Sequence, residues 1–197
     1  MKGSLEHLSR IESARTQTEP TVTGEQLLAM GDIGPCELVE GRIVRMSPTG
    51  FEHGSYEVNF AVFLRAFVKK HKLGKVAVGE VGIYTRRNPD TVRGADAIFI
   101  SHERLTQRKR KRGYLDVAPE LVVEIMSPKN RRREIDEKLK EYFSIGVQLV
   151  WVANPARKVV YAYRSMTDVR VFTEKDSLPG DDVLRGFSVP VARLFAD

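Results

Sequence analysis

The sequence predicts an α/β fold in which a central mixed β-sheet is flanked by α-helices on both faces. Residues 95–100 and 121–126 are each apolar on both sides apart from one carboxylate, which is typical of strands buried on two faces. Residues 53–72 carry apolar side chains at helical spacing. Helical and strand-like segments follow one another in blocks, and this order favours helices layered on one sheet.

The first half of the chain begins with clear start and turn signals. Thr23 and Gln26 form a capping-box pattern that opens a short helix ending near Met30. Residues 36–46 alternate around Gly41, which indicates a hairpin with its turn there. The remaining elements predicted in this half are a helix over 53–72, a strand over 76–84 with bulges or a close backbone approach at Gly79 and Gly82, and a strand over 94–100.

The second half alternates in the same way. Asn130 is a suitable N-cap and Gly146 a suitable C-terminal stop, so a helix is expected between them. Asn154-Pro155 indicates a turn between two strands. The elements predicted here are strands over 121–126, 148–153 and 158–164, an edge strand over 169–173, and a tail that packs back through Leu194 and Phe195.

Length and composition indicate one domain in a reducing compartment. The 197 residues suit a single domain over 21–197, preceded by a flexible arm over 1–20 that is polar and lacks periodicity. The single cysteine, Cys36, excludes an internal disulfide and a cysteine-based zinc site. Because no apolar run approaches a membrane span and the start lacks a signal-peptide pattern, we expect a cytoplasmic protein without a membrane partner.

Basic charge is concentrated in two short stretches. Residues 103–112 carry +5 and residues 129–133 carry +4, so the rest of this +6 chain is net negative. Such clustering is typical of a surface that binds a polyanion, although a solubilising loop would have the same composition. The predicted nucleic-acid-binding residues are Arg108, Lys109, Arg110, Lys111, Arg112, Lys129, Arg131, Arg132 and Arg133.

Asp96 and Glu124 are the carboxylates that interrupt the two buried strands. A buried carboxylate costs several kcal/mol (~2–7) unless it is paired, hydrogen-bonded, protonated or bound to metal. One such acid could be a satisfied structural residue, whereas two on separate buried strands of one sheet favour a shared cation. Lys138 lies beside the apolar stripe of the following helix and could reach them, or could instead pair with Glu134 at the surface.

Several motifs together carry a family resemblance. The segments CELVEGRIVRMSPTGFEHG, RGADAIFI and LVVEIMSPKNRRREIDEKLKEY appear in the order seen in a large bacterial restriction endonuclease family of the PD-(D/E)xK nuclease superfamily, which the chain resembles over about residues 22–190. The resemblance implies a restriction-endonuclease-like fold with Asp96, Glu124 and Lys138 as catalytic residues. It also implies Glu40 as a further metal ligand and His53 as an accessory residue, the alternative for His53 being a capping or structural role at the start of its helix.

The resemblance further implies a magnesium- or manganese-dependent endonuclease that cleaves DNA or another nucleic acid and that could form a homodimer. Two departures bear on activity: Ala95 replaces the motif proline, and Met126 stands where the strand lysine is expected. The alternatives are a catalytically inactive nucleic-acid-binding protein on a nuclease fold, and a metal-dependent hydrolase of small phosphate esters.

Overall fold

The computed structural model describes residues 21–110, 112–127 and 132–196. One mixed sheet of eight strands forms the centre of the molecule. A small two-stranded sheet near the C-terminus packs beside it. The strands of the main sheet are β1 (Cys36–Val39), β2 (Arg42–Arg45), β3 (Gly74–Arg86), β4 (Thr91–Ser101), β5 (Leu121–Ile125), β6 (Leu149–Asn154), β7 (Val159–Tyr163) and β8 (Val169–Thr173), and those of the small sheet are β9 (Ser177–Pro179) and β10 (Ser188–Pro190).

The described helices differ widely in length. The long ones are α2 (Phe51–His71) and α4 (Arg132–Ser144). On β5 the side chains alternate, so that Val123 joins the cluster packed under α2 and Val122 joins the one packed under α4. The two long helices therefore cover opposite faces of the sheet. The short helices are α1 (Gly24–Ala29), α3 (His102–Thr106) and α5 (Val191–Leu194).

Strand β4 has an unusual pair of neighbours. The strand order is β2-β1-β4-β5-β6-β7-β8, with β3 paired to β4 along its other edge. Because β3 occupies one edge for the whole length of β4, β1 and β5 must share the opposite edge. The recorded pairs on that shared edge are Leu38 with Val92 in β1 and residues 97–99 with 121–123 in β5. Residues 93–96 therefore lie at a gap between two partner strands.

The predicted fold class is confirmed, and most elements lie within a few residues of their expected bounds. Thr23 and Gln26 form the expected reciprocal cap, and the β1–β2 turn has Gly41 at φ 76°. The β3–β4 register slips between Val78 and Val81, as the glycine pattern suggested, and the buried Leu194 and Phe195 bring the tail onto the core. Helix α3 and the β9–β10 pair were not predicted.

Some sequence expectations fall outside the described residues. These are the arm over 1–20, the cap at Asn130, and the basic residues Lys111, Lys129 and Arg131. Among the helices that are described, none combines the length and apolar character needed to span a bilayer.

Candidate functional site at the gap in the sheet

Side chains replace the missing strand partner at the gap in β4. The Gly94 amide donates to Oε1 of Glu37 on β1, at 3.0 Å. The Gly94 carbonyl accepts from Nζ of Lys138 on α4, at 2.8 Å. A buried backbone group without a partner would be costly, so the carboxylate and the ammonium satisfy the exposed edge of β4 where neither β1 nor β5 reaches. The gap is therefore filled by charged side chains.

Lys138 joins three acceptors at this position. Its ammonium lies 2.9 Å from Oε2 of Glu124 and 3.1 Å from Oε1 of Glu37, in addition to its bond to the Gly94 carbonyl. An ammonium has three donors, so this set of acceptors can use all of them. Burial opposes the charge, but the two carboxylates outweigh burial and raise the pKa of Lys138. The lysine is thus held as a cation inside the protein.

Glu124 is held from the side of α4. Besides Lys138, the Tyr142 hydroxyl donates to its Oε1 at 2.6 Å. Burial raises the pKa of Glu124 to about 7, and the charge of Asp96 acts in the same direction, while Lys138 and Tyr142 oppose them. The antiparallel register that pairs Ala97 with Val123 sets Asp96 opposite Glu124 on the neighbouring strand.

A second cation, Arg93, extends the network. Its guanidinium contacts Glu37 at 2.9 Å and Glu141 of α4 at 2.6 Å. Glu141 also accepts a bond from the Thr85 hydroxyl of β3, at 2.8 Å. Burial would raise the pKa of Glu37, but Lys138 and Arg93 together outweigh burial and lower it. Glu37 is therefore an ionised carboxylate shared by two buried cations.

Asp96 has a different set of partners. The Ile125 amide donates to its Oδ2 at 2.5 Å, and Nε2 of His53 lies 3.5 Å from the same oxygen. His53 belongs to α2, whereas the partners of Glu124 belong to α4. The structure thus brings Lys138 to Glu124 as expected, but it groups Asp96 with residues from the other face of the sheet.

The compact metal-ligand group of the described residues consists of His53, Glu57 and Asp96. Their ligand atoms all lie within 4.8 Å of one another. Glu124 is not a member of this group, and its carboxylate contacts Lys138 and Tyr142 instead. The position of His53 is fixed by a 3.0 Å contact between its Nε2 and the Ile125 carbonyl, which leaves Nδ1 buried with no hydrogen-bond partner among the described residues.

These donors suit a divalent cation. When Nε2 of His53 donates to the Ile125 carbonyl, Nδ1 carries the free lone pair. Carboxylates suit Mg²⁺ and Mn²⁺, while imidazole suits transition ions, so the mixed set fits a divalent cation without selecting one. The hydrogen bond with Asp96 is the main cause that raises the pKa of His53, and burial opposes it. Burial raises the pKa of Glu57, although a 2.6 Å bond from the Gly79 amide acts against this.

Glu80 approaches the same region from the bulge in β3. Gly79 and Glu80 lie between the paired residues Val78 and Val81, opposite Asp96. Glu80 has φ 54°, a left-handed conformation that is uncommon outside glycine, and bulges next to functional sites often redirect a side chain in this way. Burial is the main cause that raises the pKa of Glu80, and the charge of Asp96 contributes.

The structure places Glu40 away from this site, which corrects the expectation that it lies beside a metal ion. Glu40 occupies the β1–β2 turn at φ 50°, is largely exposed, and pairs with Arg86 at 2.5 Å. Its amide bonds to Thr91, five residues before Asp96 along β4. The acid that reaches the site is Glu37, because the turn directs Glu40 outward while a strand position directs Glu37 onto β4.

The basic residues are less free than their number suggests. Arg110 pairs with Glu25 of α1 at 2.8 Å, and Arg108 lies 3.8 Å from Asp116. At the start of α4, Arg133 pairs with Glu137 at 2.8 Å, and Arg132 lies 3.9 Å from Asp136. Lys109 and Arg112 are exposed. Acids elsewhere in the chain thus neutralise part of the charge that the local count predicted.

Sequence reasoning missed Glu37, Glu57, Glu80 and Arg93. The spacing of His53 and Glu57 was a usable signal, because residues four apart on a helix share a face. Alternation along the strand could have distinguished Glu37 from Glu40, because residues three positions apart point to opposite faces. The role of Glu80 depends on a local bulge whose geometry no residue pattern specifies.

The fold and the site together define an α/β protein with acids and basic residues clustered at a gap in its sheet. The Uma2 family, described as "Putative restriction endonuclease", matches residues 25–192, and the chain belongs to this family. Among solved structures, a crystal structure titled as a putative nuclease of DUF820 from Anabaena variabilis is similar to this chain. The identity is 19%, the TM-score is 0.73, and the match covers 88% of this chain and 97% of that one. No match was found among curated proteins.

Proposed function

We propose that the protein is a metal-dependent endonuclease that hydrolyses phosphodiester bonds of nucleic acid, with DNA as its substrate. The observation that carries this proposal is that His53 and Glu57 of α2 form a compact group of possible metal ligands with Asp96 of β4, in a chain of a putative restriction endonuclease family. Nδ1 of His53 is buried without a hydrogen-bond partner among the described residues, and a cation bound there would satisfy it. Nε2 is the nitrogen that lies 3.5 Å from Asp96. The fold by itself would not fix the activity.

Each part of the site has a separate task in this proposal. His53, Glu57 and Asp96 would hold Mg²⁺ or Mn²⁺, and the bound ion would polarise the scissile phosphate and acidify a water. Lys138 and Tyr142 hold Glu124 in place beside that group. Glu124, whose pKa is raised to about 7, suits proton transfer near neutral pH. Glu37 and Arg93 keep Lys138 in position.

The partners follow from charge. Exposed Lys109, Arg112, Arg132 and Arg133 would contact phosphates without reading sequence, which would make binding dependent on salt. We assign Lys111, Lys129 and Arg131 to the same surface from the sequence alone. A cytoplasmic homodimer is the proposed working form.

Cleavage and metal binding can be tested together. Supercoiled plasmid and labelled oligonucleotides would be incubated with Mg²⁺, with Mn²⁺ or with chelator, and Mn²⁺ binding would be followed by calorimetry. We expect cleavage only when Mg²⁺ or Mn²⁺ is present and none with chelator. We expect Asp96→Asn and Glu57→Gln to lose both cleavage and Mn²⁺ binding. Glu40→Gln is the matched control, because this exposed acid lies outside the site. Metal binding and cleavage that survive Asp96→Asn would contradict the proposal.

One observation favours a second candidate, an inactive nucleic-acid-binding protein. The donors of Lys138 are engaged by Glu124, Glu37 and Gly94, so the ammonium is not free to orient a water. In that case the chain would bind DNA in a salt-dependent way without cleaving it. The same plasmid assay separates the two candidates, because retained DNA binding with no cleavage in either metal identifies the inactive form.

A further inference from the structure

Helix α2 carries apolar side chains on its outer face as well as on its inner face. Phe60, Leu64 and Val68 are buried against the sheet. Phe51, Val58 and Val62 are instead 88%, 59% and 56% exposed. A helix of a monomeric protein usually presents a polar outer face, and exposed Arg65 and Lys69 do lie on the same side of α2 as these apolar residues. Exposed apolar side chains grouped on such a face are typical of a contact site.

The described part of the chain covers only the inner side and one flank of α2. The sheet packs against the inner side through β3, β4 and β5, and the tail reaches one flank, where Asn59 donates to the Ala196 carbonyl at 2.8 Å. Val58 and Val62, one helical turn apart near the middle of α2, remain exposed. The outer stripe therefore lacks a partner within residues 21–110, 112–127 and 132–196.

We infer that the outer face of α2 is a homodimer interface, in which the helix packs antiparallel against α2 of a second copy. A twofold interface requires a surface that is complementary to itself. Antiparallel pairing about an axis level with position 60 places Val58 of one copy against Val62 of the other. It also places the exposed ring of Phe51 against the aliphatic stem of Lys69, since 51 and 69 have the same midpoint as 58 and 62.

The charges of the helix agree with this register. Glu52 lies in the first turn, and Lys69, Lys70 and His71 lie in the last turn. Glu52 and Lys70 are 18 residues apart, which is about five turns, so both project from the same side of the helix. In the antiparallel pair Glu52 of each copy lies two residues, or about 3 Å along the helix axis, from the level of Lys70 of the other copy, which long side chains can span. A parallel pair would instead place like charges together. The occupant favoured by these charges is thus a second copy.

Light scattering on the full chain tests the interface directly. The protein is expected to have twice the 22.3 kDa mass of one chain, and Val58→Glu or Val62→Glu is expected to reduce it to one chain. Both valines are exposed in one copy, so the thermal midpoint of the isolated chain should not change. Val171→Glu, at a similarly exposed valine on edge strand β8, is the matched control and should remain dimeric. A dimer that persists in Val58→Glu would overturn the inference.

Cross-linking tests the direction of pairing. In a Cys36→Ser background, a mixture of Glu52→Cys and Lys70→Cys chains should be joined by a short bis-maleimide, while neither variant alone should be. Cross-linking of each variant with itself would mean parallel pairing and would overturn the inference. A full chain that is monomeric at every concentration would also overturn the inference. If that monomer dimerises once residues 1–20 are removed, the N-terminal segment is the occupant of the outer face, and the inference is again wrong.

Discussion

Removing the ammonium of Lys138 should lower the stability of the fold, whatever its effect on catalysis. Lys138→Met keeps most of the aliphatic stem but leaves Glu124 and Glu37, whose side chains are only 8% and 6% exposed, without this cation. Breaking a buried ion pair by deleting one partner typically costs about 3–5 kcal/mol. Arg93 still compensates Glu37, so we expect about 3 kcal/mol, near the lower end of that range.

Urea unfolding followed by circular dichroism would measure the loss in the free energy of unfolding. In thermal unfolding of a chain of this size, a loss of about 3 kcal/mol corresponds to a fall of roughly 6–12 °C in the midpoint. Lys140→Met, at an exposed position two residues further along α4, is the matched control and should change stability little. Adding Glu124→Gln to Lys138→Met should restore part of the loss, because the uncompensated charge is removed. If Lys138→Met unfolds like the unmodified protein, the proposed role of its ammonium in closing the gap is wrong.

Three further predictions concern other parts of the molecule. The hydrogen bond from Arg87 is the main cause that lowers the pKa of Glu25 to about 2. The ionised Glu25 side chain therefore contributes stability above pH 4.5, and this contribution is lost as the pH falls toward 2. Glu25→Gln should make the loss of stability with falling pH less steep in acid unfolding. Trp151→Ala should cost about 3–5 kcal/mol in urea unfolding, because this fully buried ring packs between Phe60 and Phe187. Arg112→Ala should weaken DNA binding equally for different sequences and reduce its salt dependence, which titrations at several salt concentrations would detect.

The fold was predictable because its signals are local. Alternation identified the hairpin at Gly41, the helical spacing of α2 identified a long helix, and two uniformly apolar strands identified the centre of the sheet. Each of these patterns extends over several residues and repeats the same physical preference. Helix α3 and the β9–β10 pair are too short to produce such a pattern, which is why they were missed.

The site was predictable only in part. Asp96, Glu124 and Lys138 were identifiable because a charge in an apolar strand, or beside an apolar stripe, is a local anomaly. Their grouping was not, since Asp96 is joined by His53 from α2 while Glu124 is joined by Lys138 from α4. That division depends on how β4 passes from one partner strand to another, which is a property of the assembled sheet.

The site at the shared edge of β4 can form only when the elements around it have folded. Glu37, Gly94, Glu124 and Lys138 come from four separate elements, and the span from the first to the last is about half of the chain. Closing such long loops is costly in entropy, and no fragment lacking one element would retain the full set of contacts. The constellation therefore exists only in molecules that have finished folding, so a nascent or partly unfolded chain would carry none of its chemistry.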